Sequence, residues 1–178
     1  MKSTTIVGAV IASAAVLPVH GAQAEVRVAA PGALVVEHHF QLNSTPEAAW
    51  AVLVHPERYW PNDHTWSGSA ANLSLAPEAG GCYCERWAGG SAQHGVVAMA
   101  IPGKQLRIRG ALGPFQEMPV TGVLTVSLKA GDGGTEAIVT YRLAGDETAR
   151  LGDMAGAVDG VVRQQFAGFA ALASMASP

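Results

Sequence analysis

Cys82, Cys84 and Glu85 lie together in the stretch GGCYCERW, and His94 follows in SAQHGVV. These are the only two cysteines in the chain. A Cys-x-Cys pair near an imidazole could hold a metal ion or work as a redox couple. It could also be a strand that uses cysteine as a small apolar residue. Glu85 with His94 suggests a different chemistry, a carboxylate that orients an imidazole as a general acid or base. Which of these applies depends on the faces the side chains occupy, so the surrounding elements must be placed first.

In an extended strand, Cys82 and Cys84 point the same way, with Cα atoms two rises or roughly 6.6 Å apart. That is near the upper limit for a disulfide, and the Cβ vectors are wrongly aimed. No bond between them is expected. A two-residue turn at Gly89-Gly90 sets Glu85 opposite His94, Tyr83 opposite Val96 and Cys84 opposite Gly95. The thiols and His94 then lie on different faces, which opposes a Cys-Cys-His metal site. Extending across Pro102-Gly103 puts Leu106 and Ile108 on the thiol face and Arg107 and Arg109 on the Glu85/His94 face. In this register the thiols are buried in the core and Glu85, His94 and the arginines form an outer polar network. A bulge in one of these glycine-rich strands reverses the argument and turns Glu85 and His94 inward. Both arrangements are carried forward, and no metal is assigned.

The elements around this hairpin read clearly. LVVEHHFQLN (34–43) alternates as a strand, with His38 and Phe40 on its apolar face. Residues 44–54 begin a helix, with Thr45 as N-cap, Pro46 in the first turn and Glu47 against the dipole. PERYWP adds a second short helix or turn. Six strands then follow, over 65–76, 81–87, 91–100, 105–112, 119–130 and 135–144, divided by Gly- and Pro-rich turns. Residues 148–175 form one long helix whose apolar face carries Val158, Val162, Phe166 and Phe169 at 3–4 spacing. Gln165 falls in the middle of that face, where an unpaired amide costs about 1–3 kcal/mol. Tyr59, Trp60, His64 and Trp66 cluster near the second helix and could form an aromatic cavity mouth or ordinary packing.

The predicted fold class is therefore α+β: a curved seven-stranded antiparallel sheet wrapped around a long C-terminal helix, with two short helices after the first strand. One helix cannot cover such a sheet completely, so a cavity between them is expected. Residues 1–24 read as a signal peptide. Lys2 precedes a short apolar run, and Ala22-Gln23-Ala24 offers a cleavage motif before Glu25. Residues 25–33 read as a linker and 34–178 as the domain. The location expected is periplasmic or secreted, with no stable membrane insertion after cleavage. The net charge is −3 and charged residues make up only 14% of the chain, against about 25% in average proteins. No basic stripe points to nucleic acid, and no phosphate-binding or dinucleotide fingerprint is present.

The element order, together with TPEAAWAVLVHPERYWP, resembles the helix-grip superfamily called SRPBCC. This group includes START domains, birch-pollen allergens and polyketide cyclases. HTWSGSAANLSL, GGCYCERW, GKQLRIRGALGP and VDGVVRQQF are similar to a bacterial subgroup described as polyketide-cyclase or heat-shock-ATPase-activator homologues. The resemblance runs from about residue 34 to 173. It implies a ligand cavity under the C-terminal helix without naming the ligand. The first reading is thus a binding protein for a small apolar or aromatic molecule, with no cofactor. His38, Phe40, Tyr59, Trp60, His64, Trp66, Gln165 and Phe166 are the ligand contacts. The second is a cyclase or lyase-type enzyme using Glu85 and His94. A co-chaperone fits an exported chain poorly, because its client is cytosolic.

Overall fold

Alternation of apolar and polar residues builds most of the molecule. A computed structural model describes residues 24–176; the leader expected over 1–24 lies almost wholly outside them. The strands are β1 (Ala24–Ala30), β2 (Ala33–Leu42), β3 (Leu73–Leu75), β4 (Cys82–Trp87), β5 (Gly90–Ile101), β6 (Gln105–Arg109), β7 (Val120–Gly131) and β8 (Gly134–Gly145). They form one antiparallel sheet in the order β1-β2-β8-β7-β6-β5-β4-β3. In β7, Leu124, Val126 and Leu128 are buried, and in β8 Ala137, Val139, Tyr141 and Leu143. The residues between them face the other side, as the period of two requires.

The sheet has eight strands where seven are predicted. The additional one is β1, within the segment read as a linker. Val26 and Val28 alternate there, and the Pro31-Gly32 turn folds the segment back on β2, with Val26 paired to Val36 and Ala30 to Ala33. The strand predicted over 65–76 shortens to β3, because residues 70–72 form a 3-10 turn. Register shifts in β1–β2, β4–β5 and β5–β6 mark bulges, which bend strands and increase their twist.

Helix α1 (Pro46–Leu53) starts as predicted. The Thr45 hydroxyl accepts the Ala48 N–H at 3.2 Å, and Pro46 occupies the first turn. Helix α2 (Ala155–Met175) starts later than predicted. Residues 147–149 and 151–154 make 3-10 turns on either side of Arg150, whose φ of 50° is left-handed and interrupts any continuous helix. The Leu151 N–H donates to the Pro31 carbonyl at 2.8 Å, which ties this connection to the β1–β2 turn. From there α2 lays Val158, Val162, Phe166, Phe169 and Ala173 onto the inner face of the sheet.

Candidate functional site

The β4–β5 hairpin does not keep the simple register. Tyr83 pairs with Gly95, but Cys84 pairs with Gln93, so His94 is an extra residue in β5. Glu85 pairs with Ala92. The bulge turns His94 inward to the side occupied by Tyr83 and Glu85, which are 3% and 0% exposed. The outer network of Glu85, His94 and the arginines is thereby corrected: Glu85 and His94 are interior, while Arg107 stays with Gln105 and Thr125 on the outer side. Gly95 makes this possible, since a Cβ there would sit 2.5 Å from the Ile108 side chain and 2.8 Å from the Arg109 carbonyl.

The cysteines are corrected as well. Cys82 and Cys84 are joined by a disulfide and are not free thiols, although Cys84 is buried, at 6% exposure. The shift between Tyr83 and Cys84 accompanies a Cα separation of 5.4 Å, shorter than the roughly 6.6 Å of a regular strand. Ideal strand geometry therefore excluded a bond that the actual backbone permits. With Tyr83 and Glu85 inward, the disulfide belongs to the outer side of β4. Among the described residues, no three His, Cys, Asp or Glu side chains gather as a metal site.

Glu85 is held from three directions. The Trp66 N–H donates to Oε2 at 3.0 Å, the Ser67 N–H to Oε1 at 2.6 Å, and His94 Nε2 lies 3.0 Å from Oε2. Burial pushes the carboxyl pKa up, but the hydrogen bonds from Ser67, Trp66 and His94 outweigh it, and the net effect is a value below the ordinary 4.5. Glu85 is thus ionised near neutrality and can only accept. The proton between it and His94 belongs to Nε2, so a neutral His94 carries its lone pair on Nδ1. No described residue hydrogen-bonds that nitrogen.

A cavity of about 340 Å³ opens beside this pair, between α2 and the sheet. Its walls are mainly apolar, with Trp60, Leu112, Phe115, Val158 and Val162 among them. Five of the predicted residues meet here: Trp60, His64, Trp66, His94 and Gln165. Trp66 and Val161 are 47% and 38% exposed and flank the mouth. Gln165 is 6% exposed, and its amide has no hydrogen-bond partner among the described residues. His64 Nδ1 is buried and also lacks one. Glu85 lies behind His94, not on the wall.

Of the other four predicted contacts, His38, Phe40 and Phe166 are buried in the core and Tyr59 packs partly buried against it. His38 is fully buried between β2 and α2, with Nε2 3.1 Å from Asp159 Oδ1 but without the alignment of a hydrogen bond. Burial lowers its pKa most. Asp159 raises it, Arg163 lowers it, and the balance is downward. Phe40 stacks near His38, with ring centres 6.2 Å apart. The Tyr59 hydroxyl donates to the Leu53 carbonyl at 2.9 Å, and its ring packs on Phe169. Phe166 meets Trp60 edge-on beneath the cavity floor.

Sequence reasoning missed Tyr83, Tyr141 and the 112–115 segment. Tyr83 packs its ring 5.1 Å from His94. Burial, with repulsion from Tyr59 and Glu85, holds its phenol well above 10, so it stays neutral. Tyr141 accepts the Leu112 N–H at 2.8 Å and so fixes the segment that closes one side of the cavity. In β8, Tyr141 alternates with its neighbours so as to share the buried face with Val139 and Leu143. That it braces a distant turn is a tertiary fact with no local signal.

No family model and no curated protein matches the sequence. Solved structures do resemble it. An uncharacterised protein from Rhizobium leguminosarum shares 17% identity at a TM-score of 0.59, covering 85% of this chain and 97% of that one. CalU16 from Micromonospora echinospora shares 13% at 0.53, covering 87% and 86%. The di-domain ARO/CYC protein StfQ of the steffimycin biosynthetic pathway shares 9% at 0.57, covering 80% of this chain and 51% of that one. The likeness is one of fold. An eight-stranded antiparallel sheet against a long C-terminal helix is consistent with a helix-grip architecture, and in this chain the cavity lies where the sheet and α2 separate.

Proposed function

We propose that the protein is an exported member of the helix-grip SRPBCC superfamily that binds a small apolar or aromatic molecule between its sheet and α2. The observation that carries this reading is Gln165, an unpartnered amide on the wall of a mainly apolar cavity. The amide opens onto the cavity, where a ligand would supply the bond that the chain does not. The cavity size falls in the range of small-molecule sites, about 300–1,000 Å³. The leader-like residues 1–24 support export, as does a disulfide, which persists in oxidising compartments.

Gln165→Leu tests the reading. The fold should remain intact, because an unpaired amide is exchanged for an aliphatic side chain of similar size. Affinity for a polar ligand should fall by about 1–2 kcal/mol, near the net worth of one hydrogen bond, while an apolar probe binds as before. A loss of several kcal/mol of stability with unchanged affinity would mean that the amide bonds to the protein itself.

The geometry at His94 favours a second reading, a cyclase or lyase-type enzyme. Nε2 is held by Glu85 and Nδ1 is free to take a proton, as a general base requires. Native mass spectrometry of protein purified from its own periplasm identifies a retained ligand. Returned to the emptied protein, that molecule stays unchanged with a carrier and is converted by an enzyme.

A further inference from the structure

The hydrogen-bond polarity of the cavity is set from behind its wall. Glu85 is wholly buried and receives the N–H groups of Trp66 and Ser67 as well as His94. With two backbone donors fixed on it, the carboxyl group is an acceptor toward all three neighbours. A neutral His94 therefore presents N–H from Nε2 to Glu85 and keeps a lone pair on Nδ1, on the residue that lines the cavity. The charge pattern adds a second constraint. No Lys or Arg lines the cavity among the described residues, whereas Asp63 does, and the Glu85 carboxylate lies directly behind His94. An anion entering here would lose its hydration without gaining a counter-charge.

We infer that Glu85 and His94 select for an uncharged ligand with an apolar body and a hydrogen-bond donor, a hydroxyl or N–H, directed at His94 Nδ1. This rests on the binding reading above and narrows it. Glu85 acts as a positioning residue: it never meets the ligand but determines which imidazole nitrogen carries hydrogen. Fatty acids and other carboxylates are excluded as a class, and so are molecules whose only polar group is a carbonyl or ether at this position.

Three naphthalenes of similar shape test this, with naphthalene itself as the apolar control. At pH 7, 2-naphthol is a neutral donor, 2-methoxynaphthalene can only accept, and 2-naphthoate is an anion. Affinities would be read from quenching of tryptophan fluorescence. For the native protein, 2-naphthol should bind roughly ten-fold more tightly than the methyl ether, the effect of one hydrogen bond, and naphthoate should be weakest. In Glu85→Gln the neutral amide can pair with either tautomer, so the naphthol-to-ether ratio should fall to within about two-fold. In His94→Phe the ratio should fall to about one. Each ratio is measured within one protein, so a partly unfolded variant does not distort it, and the native series is decisive if neither variant folds. If naphthalene, 2-naphthol and the ether bind alike, or naphthoate binds best, the donor inference is overturned while the apolar cavity stands. If no probe binds, naphthalene included, both readings fall.

Discussion

Glu85 combines two tasks in one side chain. It orients His94, and it fastens the segment containing Trp66 and Ser67 beside the cavity. Glu85→Ala leaves two backbone N–H groups and an imidazole N–H without their acceptor. The His94 donor is buried while the Trp66 and Ser67 amides are only partly so; at about 1–3 kcal/mol for a buried donor left unpaired, the variant should lose about 1–3 kcal/mol in urea denaturation. The pH dependence has a definite sign. The folded carboxyl titrates below the ordinary 4.5, so its contribution is complete above that value and is lost as pH falls through the folded pKa. Native stability should decline on the acid side of pH 4.5, and the variant should decline less. An unchanged acid limb would place the Glu85 charge outside the folding balance. The pairing of Glu85 with His94 was legible in the sequence, with an inward-turning bulge as one of two arrangements, but the choice between the two was not. It depends on a one-residue bulge whose cause, the fit of Gly95 against Ile108 and Arg109, lies on another strand.

At the scale of elements, periodicity carried most of the fold. The β7–β8 hairpin, the Thr45 cap and the apolar face of α2 all follow from local pattern. β1 was missed although Val26, Val28 and the Pro31-Gly32 turn are ordinary strand and hairpin signals, because it adjoins the cleavage motif and was read as a linker. The docking of α2 on β2 includes one polar contact, His38 beside Asp159, with Arg163 the other charge acting on it. The folded His38 titrates below 6.5, with burial as the main cause. The neutral form is thus favoured on folding, and stability is complete above pH 6.5 and lost as pH falls toward the folded value. His39, on the outer face, works in the opposite sense. Glu136 and Glu37 raise its pKa, so its contribution is complete below 6.5 and lost at higher pH, and partial exposure keeps it small. Comparing native protein with His38→Leu by thermal melting isolates the buried residue. The variant should lose less stability between pH 7 and 5.5, and parallel curves would refute the assignment.

For the whole molecule, the disulfide and the first strand bear on where and when it folds. An alkylating reagent should label neither cysteine in native or unfolded protein until a reductant is added, and both afterwards. Labelling of unreduced, unfolded protein would exclude the bond. β1 has a further consequence. Ala24 ends the Ala22-Gln23-Ala24 motif, and it is also the first residue of β1, paired with His38 across from β2. Proteases bind their substrates as extended, unpaired chain, and the sheet claims that same backbone. Under the export proposal, removal of a leader before Glu25 and closure of the β1–β2 ladder would therefore compete for one peptide segment. Cleavage would then have to come first, while the chain is still emerging. A precursor that folded beforehand would hold that cut site in the sheet and keep its leader.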